Sequence, residues 1–277
     1  MQNINWYPGH MKKTRELIRE NLKLVNAVIE VVDARIPVSS RNPLIDEIVG
    51  SRPRLIALNK SDLADAEASK VWAERFRTSG MKAVLLNCNT GEGVKKLFQS
   101  LDDMRKEREQ GSSMNRPFRL MIVGVPNVGK SSLINRMSGR KSTQTGDRPG
   151  VTKGKQWIRL KNGMQLLDTP GILWPKFEDP KAGVNLAFCG SIRDEIMDLP
   201  TLGMELIGFL AEEYPMLLKE RYKLEELPET PLGTMEEMAM KRGCILPGKR
   251  IDYERIARLV LDEFRAGKIG RITLEQA

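Results

Sequence analysis

The sequence predicts an α/β protein in which a doubly wound, mostly parallel six-stranded sheet is followed by a smaller all-α domain. Three observations carry this expectation. Six short, β-rich apolar runs alternate with amphipathic stretches over residues 27–171, the pattern that puts crossover helices on both faces of a parallel sheet. The segment "GVPNVGKSS" (124–132) follows one such run and opens a helical stretch, as a phosphate-binding loop does. After "DTPGILWPKFEDP" the strand-like runs stop, and from about 180 onward the chain reads as helix.

The strands expected, in order, are "AVIEVVDA" (27–34), "RLIALN" (54–59), "AVLLN" (83–87), "RLMIVGV" (119–125), "KQWIRL" (155–160) and "MQLLDTPG" (164–171). Between them, "DAEASKVWAERFRTSG" closes on Gly80 and "GKSSLINRMSG" on Gly139, the residue type that ends helices most readily. Residues 102–117 run from charged to Gly/Ser to Pro and read as a helix end and linker. The expected division is a nucleotide domain over 1–178, with an N-terminal segment 1–26, and a helical domain over 179–277.

The 277 residues suit one ample domain and a smaller one. A formal charge of +9 suggests a polyanionic partner, nucleic acid first, with a solvated Lys-rich surface as the plainer reading. The charge is uneven: residues 176–240 carry 6 Lys/Arg and 14 Asp/Glu, whereas 241–277 carry 9 and 5. Three cysteines, far apart, fit neither a zinc site nor a disulfide framework and read as reduced packing residues. No apolar run approaches the roughly 20 residues of a membrane span, and "MQNINWYPGHMKK" lacks a signal-peptide core, so a soluble, cytoplasmic protein is expected.

The chemistry concentrates in a few motifs. In "GVPNVGKSS" the glycine-rich turn and helix N-terminus, Asn127, Val128, Gly129, Lys130, Ser131 and Ser132, would cradle phosphates with backbone N–H groups. Lys130 would reach the β/γ-phosphates and the Ser131 hydroxyl would ligate Mg²⁺. "DTPG" supplies Asp168 for the Mg²⁺ shell and Gly171, whose N–H would meet the γ-phosphate; Thr152 in "DRPGVT" is the natural switch residue for both. "NKSD" (59–62) has the form with which GTPases select guanine: Asp62 would accept from N1 and N2, Asn59 would bond the base edge, and the Lys60 stem would lie over the ring. Alone, that tetrapeptide is an ordinary turn. In "AVLLNCNTGEGV", Asn87 and Cys88 stand where the last guanine-contacting loop usually has Ser and Ala.

The order of these motifs is unusual. Ras-like domains run phosphate loop, switch Thr, D-x-x-G, N-K-x-D, S-A; this chain starts with N-K-x-D and ends with D-x-x-G. It is the same cycle cut in the second switch, a circular permutation, feasible where the old termini lie close and the cut falls in an exposed loop. The γ-phosphate-sensing switch then runs directly into the helical domain.

That order, with "WYPGHM", "VDARIPVSSRNP", "GVPNVGKSSLIN", "TGDRPGVT" and "LDTPGILWPKFED", strongly resembles the bacterial ribosome biogenesis GTPase A family over essentially the whole chain. The resemblance implies GTP hydrolysis coupled to late maturation of the large ribosomal subunit, with an RNA-binding helical C-terminal domain. A nucleotide-gated protein-binding module with incidental hydrolysis is the alternative function. A monomer is expected in solution.

At the position after D-x-x-G where Ras-like enzymes place a water-orienting Gln, this chain has Ile172, which cannot orient water. His10, the one histidine, has two readings: a group that accepts a hydrogen bond from the attacking water, the role the resemblance implies, or a residue packed beside Trp6, Tyr7 and Pro8. Asn127 likewise has two: a ligand for K⁺ beside the phosphates, as in related GTPases, or a loop residue tolerant of unusual backbone angles. In "KRIDYERIARLVLDEFRAGKIGR", Ile256, Leu259, Val260 and Phe264 form an apolar helical face, while Arg255, Arg258, Arg265, Lys268 and Arg271 supply positive charge for RNA phosphates or plain solvation. Arg35 and Arg41, in a loop too polar to be core, offer a second RNA-contact surface.

Overall fold

The computed structural model describes residues 16, 18–109, 117–139, 157–160, 162–167 and 179–277. The chain divides into two compact units, Met1–Ala182 with Thr273–Ala277, and Gly183–Ile272. The last five residues therefore do not belong with the helical unit, where the sequence reading placed them.

The first unit is built on a six-stranded sheet: β1 (Ala27–Asp33), β2 (Arg54–Asn59), β3 (Lys82–Leu85), β4 (Arg119–Val123), β5 (Trp157–Arg159) and β6 (Gln165–Leu167), in the order β3-β2-β1-β4-β6-β5. All neighbours pair in parallel except β5 with β6. The helices α1 (Pro43–Val49), α2 (Ala66–Thr78), α3 (Val94–Glu109) and α4 (Lys130–Ser138) connect or follow the strands. Each start has a local cause. Asn42 and Asp65 cap α1 and α2 by accepting from Leu44 N and Ala68 N, and Pro43 occupies the first turn of α1, where its missing N–H costs nothing. Much of the stretch read as linker, Asp102–Glu109, continues α3.

Every residue of β1 is buried, as a strand covered on both faces must be. Val28 and Val32 point to one face, where two apolar clusters form. One gathers Val28, Met121, Val123 and Leu167 with Ile45 and Val49 of α1; the other gathers Val32, Ile56 and Leu58 with Trp72, Ala73 and Phe76 of α2. Glu30 lies between Val28 and Val32 on the same face, 1% exposed. Such a charge is tolerable only when paired. Arg41 donates to both Glu30 oxygens at 3.3 Å, Arg54 donates at 3.2 Å, and both arginines also meet Asp46.

The second unit holds α5 (Pro180–Phe188) from Gly183 onward, then α6 (Leu199–Glu213), α7 (Pro215–Tyr222), α8 (Pro231–Arg242) and α9 (Tyr253–Arg265). Gly203 allows α6 and α9 to touch: a Cβ there would stand 2.5 Å from the Ala257 Cβ. The apolar face expected of α9 is present through Ile256, Val260 and Phe264, which are buried; Leu259 lies half-buried at its margin. The unit is not purely helical. A two-stranded hairpin, β7 (Ile245–Leu246) and β8 (Arg250–Ile251), turns through Pro247-Gly248-Lys249, with Gly248 and Lys249 at φ 79° and 58°. The Pro-Gly pair is a turn signal, but strands of two residues carry too little alternation to be read.

Candidate nucleotide-binding site

The site lies at the C-terminal ends of the parallel strands, where open α/β sheets bind ligands. The loop after β4 carries the phosphate-binding sequence. Its backbone is what the residue types allow: Gly124 and Gly129 take φ 149° and 101°, and Asn127 takes φ 61°. Neither glycine tolerates a side chain, since a Cβ on Gly124 would meet Val31 O at 2.4 Å and one on Gly129 would meet Asn59 Nδ2 at 2.2 Å. The α4 N-terminus follows directly, the part of a helix whose backbone N–H groups can hold an anion. Lys130 is 9% exposed and its ammonium donates to Val125 O at 2.6 Å, arching back over the loop whose phosphates it would meet. The positive φ of Asn127 supports the backbone reading of that residue.

Asn59 has a role the sequence reading did not assign. At 3% exposure, its carboxamide donates from Nδ2 to Val128 O at 2.7 Å and accepts at Oδ1 from Cys88 N at 3.0 Å. One side chain thus ties the base-selecting strand end to the phosphate loop and to the β3–α3 loop. Asn87 organises that last loop: its Oδ1 accepts from Asn89 N and Thr90 N at 2.9 and 3.2 Å. Cys88 is buried, burial pushes its thiol up to about 12, and its backbone N–H and C=O are taken by Asn59 and Arg136.

Arg136 on α4 was not foreseen. It donates from Nε to Cys88 O at 2.9 Å and from Nη2 to Asn89 O, so the helix that opens at the phosphate loop also grips the base loop. No local pattern marks it, because its partners lie over 40 residues away.

Lys60, at φ 59°, pairs its ammonium with Asp33 Oδ2 at 2.9 Å. Asp33 is itself held by Arg35 through Nε–Oδ1 at 3.0 Å and Nη2–Oδ2 at 2.8 Å. Burial alone would push the Asp33 carboxyl up, but Arg35 and Lys60 together outweigh it and hold it well below the usual carboxylate range. The Asp33 pair fixes the end of the Lys60 side chain, and Asp62, two residues on, is exposed. Ser131 and Ser132, in the first turn of α4, are half-buried. His10, Thr152, Asp168 and Gly171 lie outside the described residues, as does Ile172. Of the expected Mg²⁺ ligands, Ser131 alone lies among the described residues, in the first turn of α4, and its hydroxyl is the hard oxygen donor that Mg²⁺ takes.

The seven basic residues expected to meet RNA separate into two groups. Arg35 is 1% exposed, contrary to the reading of its loop as too polar to be core: its fork is consumed by Asp33. Arg41 serves Glu30 and Asp46. Arg265 donates to both Asp194 oxygens at 2.8 and 2.7 Å and to Phe188 O and Ala187 O, closing the α5 end onto α9 within the helical unit. These three are structural cations. Arg255, Arg258, Lys268 and Arg271 are exposed, with Arg258 paired only to Glu254 on its own helix.

A family model described as "50S ribosome-binding GTPase" matches residues 119–220. The ribosome biogenesis GTPase A of Priestia megaterium is 45% identical over 98% of this chain and 96% of its own length; that of Thermotoga maritima is 33% identical, over 99% and 94%. The mitochondrial ribosome-associated GTPase 1 of Mus musculus is 33% identical over 98% and 90%. A crystal structure of GNP-bound YlqF from T. maritima superposes with a TM-score of 0.69 at 32% identity, covering 95% of this chain and 98% of that one. A GDP-bound YlqF gives 0.70 at 31%, covering 94% and 98%. A sheet with the base-selecting loop before the phosphate loop, the Asn59 tie between the two, and full-length relatives of this kind lead to one conclusion: the chain belongs to the ribosome biogenesis GTPase A family of circularly permuted GTPases.

Proposed function

We propose that this protein is a GTPase assembly factor that acts in late maturation of the large ribosomal subunit and hydrolyses GTP on the pre-ribosomal particle. The observation that carries the GTPase reading is the Asn59 carboxamide, which locks the base-selecting and phosphate-binding loops into one site. The Ser131 hydroxyl would help hold Mg²⁺, which when bound would supply positive charge against the charge developing on the phosphates. Thr152 and Asp168 complete its shell in this reading, and Gly171 senses the γ-phosphate. K⁺ at Asn127 would add positive charge where other GTPases insert an arginine.

Turnover is slow until the particle binds, because Ile172 replaces the water-orienting Gln. His10 then supplies the hydrogen-bond acceptor. RNA contact falls to the exposed Arg255, Arg258, Lys268 and Arg271 of the 179–277 region, whose side chains stand at the surface where phosphates would meet them. The factor acts in the cytoplasm as a monomer in this reading; among the described residues no helix is long and apolar enough to cross a membrane. The test is GTP turnover with and without purified large ribosomal subunits, in K⁺ and then Na⁺ buffer. Stimulation by the particle that His10→Ala abolishes is the expected result; an unstimulated wild type with intact GTP binding would overturn the particle as activator, and equal rates in the two salts would remove K⁺.

A further inference from the structure

Residues 273–277 take no part in the site described above, yet they fold against it within the first unit. Thr273 and Leu274 are 0% and 3% exposed. The Leu274 N–H donates to Arg35 O at 2.8 Å. The Glu275 carboxylate accepts from Val38 N at 2.5 Å and Ser39 N at 2.9 Å, and from the Ser39 hydroxyl. Charge-assisted bonds to successive backbone N–H groups are the stronger kind. On the other side, Thr273 Oγ1 accepts from Asp65 N at 3.1 Å, and Trp72 Nε1 donates to Glu275 O at 2.9 Å.

These contacts span two loops that both frame the base. The β1–α1 loop carries Asp33 and Arg35 and closes on itself through Ser40, whose hydroxyl accepts from Asp33 N and donates to Ile36 O. The β2–α2 loop carries Lys60 and Asp62 and ends at Asp65. The loops are also joined by the Lys60–Asp33 ion pair, by the Ala34 N to Asn59 O bond at 2.8 Å, and by Ala34 and Ala64 in one apolar cluster. The tail adds a further link from residues distant in sequence.

We propose that the C-terminal tail, Thr273 to Glu275, is a positioning element of the guanine site: it clamps the β1–α1 and β2–α2 loops together so that Asp33 holds Lys60 over the base. The inference rests on the guanine-binding reading of that site. The tail reaches the β1–α1 loop through Arg35, Val38 and Ser39, and the β2–α2 side through Asp65 and Trp72. Loosening it alters retention of the base through Lys60 while leaving the choice made by Asp62.

The test uses the full chain and N-methylanthraniloyl-GDP as probe. Thr273→Val removes the acceptor for Asp65 N, and Glu275→Gln removes the charge on the Val38–Ser39 turn; Thr273→Ser keeps the hydroxyl as control. Each of the first two is expected to speed dissociation about three- to tenfold, the scale of one hydrogen bond, with Thr273→Ser near wild type and the preference for GDP over XDP unchanged. In a Lys60→Ala background the same changes are expected to add nothing, the signature of residues acting through one another. Unchanged dissociation, or effects that simply add in the Lys60→Ala background, would overturn the inference. A wild type that did not bind the probe would instead undo the guanine reading itself.

Discussion

Replacing Asn59 by Ala separates the architecture of the site from its contact with nucleotide. The side chain makes two hydrogen bonds at 3% exposure, one to Val128 O and one from Cys88 N. Removal costs both, each worth about 1 kcal/mol net, and leaves a buried carbonyl and a buried N–H that water reaches poorly. The expected loss is about 2–4 kcal/mol in the nucleotide-free protein. Urea unfolding followed by tryptophan fluorescence measures it cleanly, because all four tryptophans, Trp6, Trp72, Trp157 and Trp174, precede Gly183 and the helical unit has none. The midpoint should fall while the slope stays constant. If the nucleotide-free variant lost less than about 0.5 kcal/mol, within the scatter of surface substitutions, yet bound GDP poorly, Asn59 would act on the base alone and the proposed tie between loops would be wrong.

Gly129→Ala, which sets a Cβ 2.2 Å from Asn59 Nδ2 at φ 101°, should weaken GDP binding more than tenfold, or about 1.4 kcal/mol, in isothermal titration. Asp33→Asn should destabilise the first unit by about 3–5 kcal/mol at pH 7, since it strands the Arg35 and Lys60 cations. The Asp33 carboxyl is lowered on folding, so the stability it supplies is complete above the unfolded value near 4 and is lost as pH falls toward the folded one; the gap between variant and wild type in urea midpoints should therefore narrow below about pH 4. Arg265→Ala should lower the thermal stability of the helical unit by breaking four hydrogen bonds, whereas Arg258→Ala should leave it within about 0.5 kcal/mol and instead reduce the salt slope of particle binding. The three buried cysteines should resist a thiol reagent at pH 8 until denaturant is added; rapid native labelling of Cys88 would contradict its burial.

The sheet and the motif positions were legible because both are local. Period-two apolar runs and glycine-punctuated loops announce themselves within a dozen residues, and "RLIALN" coincides with β2 from end to end. What the sequence hid is the destination of its charges. Arg35, Arg41 and Arg265 looked like surface cations because their partners lie in other elements, and an ion pair between β1 and the loop after it has no periodicity. Glu30 is the telling case. A charge inside an all-apolar strand is a burial penalty that demands arginines nearby, so "AVIEVVDA" itself contained the signal that Arg41 or Arg54 would be occupied. The tail escaped notice for a different reason: five residues after a long helical run carry no pattern of their own, and their order comes from backbone bonds to distant loops.

Permutation gives those tail contacts a mechanical setting. In the Ras-like order the second switch returns into the sheet; here the chain passes from D-x-x-G through residues 172–182 into the helical unit. The far end of that unit, at Ile272, passes straight into the tail that clamps the base-framing loops. The helical unit is thus covalently continuous at one end with the D-x-x-G segment and at the other with the tail that meets the β1–α1 and β2–α2 loops. A partner that binds the helical unit more tightly in one nucleotide state biases both ends by the same differential affinity, and by reciprocity the nucleotide biases the partner. If the proposed particle is that partner, severing the tail contacts should weaken the coupling between GDP release and release from the particle, read as particle-stimulated GDP dissociation in Glu275→Gln against wild type.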